Sequence, residues 1–186
     1  MKIGVYLSSK DHLPDSYAEA ARQVGAFIGN EGHTLVYGGA RKGLMEVLAQ
    51  QVKAHGGRVY GMVPDIIVQR GLVSDAIDVT FRCVDLNDRK AMMNRESDVL
   101  VALPGGIGTL DEVFTVMANT VIANTVIGIR HQPVVFYNVE GCWDALLQAL
   151  DNLFAQGLIS GQPADYYAVA HNVTELRNVV DNLTNI

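Results

Sequence analysis

The sequence predicts an α/β fold, a doubly wound and mainly parallel sheet with helices on both faces. Short runs rich in β-branched residues alternate with longer segments of helical period, and this alternation is typical of βαβ units. Two of the predicted strands end in glycine-rich turns, as expected where strands lead into ligand-binding helix N-termini. The 186 residues, 49% apolar and 18% charged, predict a single domain over residues 1–186, since no linker divides them.

The first part of the chain predicts three strands and two helices. Apolar residues of the first helix, such as Ala21, Val24 and Ile28, recur at helical spacing after Pro14. Gly56 and Gly57 end the second helix. The predicted elements are a strand over 2–7, a helix over 15–30, a strand over 34–37, a helix over 43–55 and a strand over 58–63. Pro64 then opens a stretch that we expect to be irregular.

The second part predicts four more strands. Residues 98–103 are continuously apolar after Asp98, which is typical of a central parallel strand. The predicted elements are strands over 77–84, 98–103, 134–137 and 166–170, and helices over 85–96, from about Thr109, around Trp143–Leu153 and after Asn172. Asn172 and Glu175 have the spacing of a capping box at the start of the last helix.

Composition excludes several classes of protein. The net charge of -6 opposes binding to nucleic acid, which depends on basic residues that neutralise phosphates. No apolar stretch reaches the roughly 20 residues that cross a bilayer, and no signal-peptide pattern follows Met1, so we expect a cytoplasmic protein without a membrane partner. Cys83 and Cys142 lie in no metal-ligand or disulfide pattern. The sequence therefore predicts no metal and no organic cofactor.

Two glycine-rich turns carry the chemistry. One includes Gly38 and Gly39, and the other runs from Pro104 to Glu112. Both have the pattern of anion cradles at helix N-termini. The second lacks the Gly-Lys-Ser/Thr of a P-loop and the third glycine of the dinucleotide fingerprint. It therefore predicts a backbone phosphate site, with the hydroxyl of Thr109 available to the ligand.

The second turn also resembles a known family. The segment Pro-Gly-Gly-Ile-Gly-Thr-Leu-Asp-Glu, residues 104–112, matches the P-G-G-x-G-T-x-x-E motif of the Lonely Guy family of cytokinin riboside 5′-monophosphate phosphoribohydrolases. Upstream, Arg89-Lys90-Ala91-Met92-Met93 resembles the R-K-x-x-M helix of this family. The likeness runs from residue 2 to about 158. Members have often been labelled lysine decarboxylases, but the sequence shows no pyridoxal-phosphate signature.

The resemblance implies a Rossmann-like homodimer that hydrolyses the N-glycosidic bond of a nucleoside 5′-monophosphate. It implies Arg89 and Glu112 as the catalytic residues. The implied substrate- and phosphate-binding residues are Gly39, Lys90, Gly105, Gly106, Gly108 and Thr109. A carboxylate beside the sugar would stabilise the oxocarbenium-like state of this reaction. The preferred base, AMP or an isopentenylated AMP among others, stays open.

Alternatives remain for the function and for single residues. The fold also suits a non-catalytic nucleotide-binding or carrier module. By spacing alone, Glu112 could equally close a capping box with Thr109. The chain departs from the family at Ala40 and Glu46, where glycine is usual. It also repeats Ala-Asn-Thr-Val-Ile in tandem over 118–127, and these five extra residues would rotate a continuous helix by about 140°.

Overall fold

The structure is a computed structural model that describes residues 1–123 and 133–184. Within these residues the strands are β1 (Lys2–Tyr6), β2 (Thr34–Tyr37), β3 (Arg58–Pro64), β4 (Val79–Cys83), β5 (Val99–Ala102), β6 (Val134–Tyr137) and β7 (Tyr167–Ala170). They form one sheet in the order β4-β3-β2-β1-β5-β6-β7, with all pairs parallel. The predicted fold class is confirmed.

Helices cover both faces of the sheet. They are α1 (Asp15–Asn30), α2 (Gly43–Ala54), α3 (Asp65–Gln69), α4 (Leu86–Glu96), α5 (Ile107–Ala123), α6 (Asp144–Ala155) and α7 (Val173–Thr184). One apolar core lies under α1, α2 and α7, and the other lies under α4, α5 and α6. Strand residues alternate between them: Leu35 belongs to the first core and Val36 to the second. Both faces of the central strands are therefore buried, as in most parallel sheets.

Several local predictions need correction. The stretch after Pro64 is not wholly irregular, because the short helix α3 follows directly. Strand β4 is shorter at both ends than the predicted 77–84. Helix α5 begins at Ile107 rather than near Thr109. The last helix begins as predicted, since Asn172 Oδ1 accepts from the backbone N–H of Glu175 at 2.9 Å.

The tandem repeat lies only partly within the described residues. Helix α5 continues without interruption through the first copy, which ends at residue 122. The expected change of face or loop after that copy falls on residues outside the described part of the chain. No described helix is both long and apolar enough to cross a membrane.

The order of the strands locates the site. The chain leaves β1 toward β2, β3 and β4 on one side, then returns to β5 on the other side of β1. In open parallel sheets, ligands bind at such a switch point, beyond the carboxyl ends of the strands. The segments after β1, β2 and β5 therefore meet at one edge of the sheet, and the two predicted glycine-rich turns follow β2 and β5.

Candidate active site

A cavity of about 550 Å³ lies at this switch point. Its walls come from the ends of β1 and β2, from helix α4 and from the start of α5. The predicted site residues that line it are Arg89, Gly106, Gly108, Thr109 and Glu112. Its size fits a small-molecule ligand of nucleotide dimensions. The fold therefore brings the predicted catalytic pair and most of the second glycine turn together.

The predicted catalytic residues form an ion pair. Arg89 Nη2 donates to Glu112 Oε1 at 2.6 Å. The side chains are only 17% and 8% exposed, so water screens their interaction little. A Cβ on Gly38 would lie 3.2 Å from Arg89 Nη1 and 2.8 Å from Met45 Cε. The absence of a side chain at Gly38 therefore makes room for the guanidinium.

The protein environment makes the carboxyl of Glu112 a weaker acid than that of an exposed glutamate. Burial raises the pKa of the carboxyl above its ordinary value, and the charge and hydrogen bond of Arg89 oppose this effect only in part. Glutamates held in this way often take part in catalysis. The alternative that Glu112 closes a capping box is wrong. Because α5 begins at Ile107 and Leu110 N donates to Gly106 O, the N-cap position is Gly106, and Thr109 lies inside the helix.

The glycines of the second turn fall into two kinds. A Cβ on Gly105 would lie 2.1 Å from Thr109 Oγ1, so packing against Thr109 requires glycine there. A Cβ on Gly106 or Gly108 would meet no atom within 4 Å. The fold alone therefore does not require glycine at these two positions. Their bare backbone at the start of α5 is open to an anionic ligand.

At the first glycine turn, the chain itself supplies an acceptor to the start of α2. Asp11 Oδ1 accepts from Gly43 N, the first residue of α2, at 3.1 Å. Gly39 has a φ of +75°, and a Cβ there would lie 2.5 Å from Val63 Cγ2. Glycine at this position satisfies the backbone turn and close packing. Gly39 is not among the residues that line the cavity.

Lys90, like Gly39 and Gly105, is a predicted ligand residue outside the lining of the cavity. Its ammonium lies 2.7 Å from Asp111 Oδ2, and Lys90 does not line the cavity. Lys90 follows Arg89 on the helix and lies about 100° around the axis from it. The structure therefore places it beside the site, bound to the neighbour of Glu112.

The cavity also contains residues that sequence reasoning did not select. Tyr6 ends β1, and Ser8, Ser9 and Lys10 follow it along the wall. The sequence feature that could have identified them is their position directly after the first strand. This position predicts a site only when β1 is known to lie at the switch point. No group of three or more described His, Cys, Asp or Glu residues could hold a metal ion.

These features define a Rossmann-like α/β protein with a buried Arg–Glu pair in a cavity at the switch point of its sheet. A family model described as possible lysine decarboxylase matches residues 45–180. A cytokinin riboside 5′-monophosphate phosphoribohydrolase of Arabidopsis thaliana is 36% identical over 94% of this chain and 78% of its own length. A probable enzyme of the same name from Oryza sativa subsp. japonica is 36% identical over 86% of this chain, which spans 63% of that relative.

The chain therefore belongs to the Lonely Guy family, whose curated relatives are named as phosphoribohydrolases, and it is an enzyme of that class. Among solved structures, the molybdenum cofactor binding protein of Rippkaea orientalis has a TM-score of 0.73 and 26% identity. The match covers 98% of this chain and 96% of that one. The same fold thus serves a protein with a binding role.

Proposed function

We propose that this enzyme hydrolyses the N-glycosidic bond of a purine nucleoside 5′-monophosphate to the free base and ribose 5-phosphate. One observation carries the proposal. A buried carboxylate, Glu112, and an open helix N-terminus with two bare glycines, Gly106 and Gly108, line the same cavity. The first suits a sugar that becomes positively charged, and the second suits a phosphate. The named activity of the curated relatives supports this assignment.

In this mechanism the phosphate lies against the N–H groups at the start of α5, and the sugar extends toward Glu112. As the bond between sugar and base breaks, positive charge develops on C1′ and the ring oxygen. The carboxylate stabilises this charge and orients the attacking water. Arg89, already 2.6 Å from Glu112, holds the carboxylate in place and adds a positive charge near the phosphate.

A non-catalytic carrier is the second candidate, and the shared fold with a cofactor-binding protein favours it. A carrier has no need of a buried carboxylate held beside an anion cradle. Burial of Glu112, which raises the pKa of its carboxyl, destabilises the charged form and would contribute nothing to ligand binding in such a protein. We therefore place hydrolysis first.

The phosphate role is tested by comparing AMP with adenosine, with chromatography of the released base. We expect AMP to be cleaved at least about 100-fold more efficiently, because only the phosphate gains from the helix N-terminus. Equal cleavage of adenosine would remove the phosphate from the proposal. A panel of AMP, isopentenylated AMP and GMP in the same assay identifies the preferred base. Tight AMP binding with no base released from any nucleotide would favour the carrier.

We also propose a homodimer in the cytoplasm. Apolar side chains lie exposed on and beside the packed pair α4 and α5: Val84, Leu86, Ile107 and Phe114 are 82%, 55%, 82% and 43% exposed. A contiguous patch of such side chains marks an interface, and we propose that these four belong to one. Light scattering after size-exclusion chromatography should give about twice the 20.2 kDa of the chain. A monomer mass at micromolar concentration would contradict the dimer.

A further inference from the structure

Helix α4 carries Arg89 but has little apolar contact to hold it. Met93 is its one fully buried residue, and the partly buried Met92 packs against the same core. Apolar burial positions most helices on a sheet, and a helix with two such side chains gains less from it than a helix with a full apolar face. The position of α4, and with it that of Arg89, therefore depends strongly on polar links to the rest of the fold.

One of these links begins inside the site. The hydroxyl of Tyr6 donates a hydrogen bond to Asn94 Oδ1 on α4, five residues beyond Arg89. Tyr6 ends β1, lines the same cavity as Arg89 and Glu112, and is 1% exposed. Its ring belongs to the core beneath α4 and α5, a place that a phenylalanine ring would fill equally well. The hydroxyl therefore contributes the link rather than the packing.

The phenol is also electrostatically close to the catalytic pair. The charges of Glu112 and Arg89 both act on its ionisation, while burial is the main reason why the pKa of Tyr6 is raised far above its ordinary value. The phenol therefore stays protonated throughout the pH range in which a carboxyl titrates. Its hydrogen bond to Asn94 is a constant feature of the site.

We propose that Tyr6 and Asn94 form a positioning pair that holds Arg89 against Glu112 and thereby keeps the carboxylate charged for catalysis. This inference rests on the proposed function for its activity assay, although its geometry does not. Tyr6 bridges the central strand β1 to α4, and Glu112 projects from α5, so the link sets the distance between the two partners of the ion pair.

The groups that act on Glu112 from each element define the expected effect. The charged ones are Arg89 and Lys90 from α4 and Asp111 from α5, while the protonated phenol of Tyr6 from β1 lines the same cavity without a charge. The charge of Arg89 is the largest of those that lower the pKa of Glu112, against the burial that raises it. If the link is lost and Arg89 moves away, Glu112 accepts a proton at higher pH. The acid limb of the rate profile then shifts upward.

Three variants and one control test this pair. Tyr6→Phe removes the donor, Asn94→Ala removes the acceptor, and the double variant removes both. Tyr167→Phe is the matched control. Tyr167 lies on strand β7, away from the cavity, and is 9% exposed in the same core. Its hydroxyl donates to Asp151 Oδ1 at 2.9 Å. The control removes a comparable tyrosine hydrogen bond without touching α4.

The activity readout is kcat and KM for AMP across pH. We expect each single variant to lower kcat about fivefold or more with KM nearly unchanged, and to raise the acid limb by about half a pH unit. The double variant should show no further change, because the two residues act through one bond. An unchanged limb in Tyr6→Phe or in Asn94→Ala overturns the proposal, as does an equal shift in Tyr167→Phe.

A second readout does not depend on turnover. In protein with ¹³C-labelled glutamate carboxyls, the Glu112 signal is the one that disappears in Glu112→Gln, and its titration can be followed directly. The same upward shift in Tyr6→Phe and Asn94→Ala supports the positioning pair even if the wild type releases no base, an outcome that would refute only the proposed function. An unshifted titration overturns the pair whatever the activity.

Discussion

Glu112→Gln separates catalysis from stability most sharply. Glutamine keeps the shape of the side chain and an oxygen that can accept from Arg89 Nη2, but it loses the negative charge. Two unit charges about 4 Å apart attract by about 4 kcal/mol at an effective dielectric constant of 20. The pKa of Glu112 is nevertheless raised. Burial of the carboxylate therefore costs at least as much as Arg89 and its other neighbours return.

Two effects of different size follow. The lost attraction and the relieved burial act in opposite directions, so we expect Glu112→Gln to change the free energy of unfolding by no more than about 1 kcal/mol, or about 2–4 °C in Tm. The reaction has no such opposing effect. Loss of the charge that faces the oxocarbenium-like state should lower kcat by about 10²- to 10³-fold, the range for one preorganised electrostatic group.

The assay combines base release from AMP, AMP binding and thermal melts on the same preparations. Asp111→Asn is the matched control: it makes the same change of carboxylate to amide on the adjacent residue, whose side chain is 60% exposed and pairs with Lys90. We expect it to alter kcat less than about threefold. Near-normal base release by Glu112→Gln, or an equal loss in Asp111→Asn, would refute the assignment of Glu112.

Three further predictions concern the same ion pair. Gly38→Ala should lower kcat/KM about tenfold or more, since the new methyl group would lie 3.2 Å from Arg89 Nη1. The binding of AMP through its phosphate at the start of α5 should change little. Unchanged kinetics would show that the guanidinium moves aside without cost. Because the pKa of Glu112 is raised, kcat/KM should fall with decreasing pH earlier than an ordinary glutamate would cause. Stability has the opposite dependence on pH. A raised folded-state pKa favours the fold at low pH, so the contribution of Glu112 to stability is lost as the pH rises through that pKa. The Tm of Glu112→Gln should therefore be highest relative to that of the wild type near pH 8. Melts from pH 4 to 8 that show the reverse trend would contradict the raised pKa.

Local patterns predicted most of the elements, because their signals lie within a few residues of each other. The alternation of apolar strands with amphipathic helices predicted the sheet, and the side chains of Asn172 and Glu175 cap α7 as their spacing indicates. The misjudged positions have a local cause too. Thr109 and Glu112 have capping-box spacing, but the helix begins before Thr109, at Ile107. Both residues line the cavity instead.

The site shows where local information ends. The sequence by itself determined the glycine-rich strand ends and the motif that includes Arg89 and Glu112. Only the tertiary structure decided that Gly106 and Gly108 are open whereas Gly39 and Gly105 are packed. It also decided that Asp11 accepts from the N–H at the start of α2, and that Tyr6 reaches Asn94, 88 residues away. The physical reason is that these contacts depend on the order of the strands. Placing β1 between β2 and β5 brings distant segments to one edge of the sheet, and no periodicity within a single segment encodes that neighbourhood.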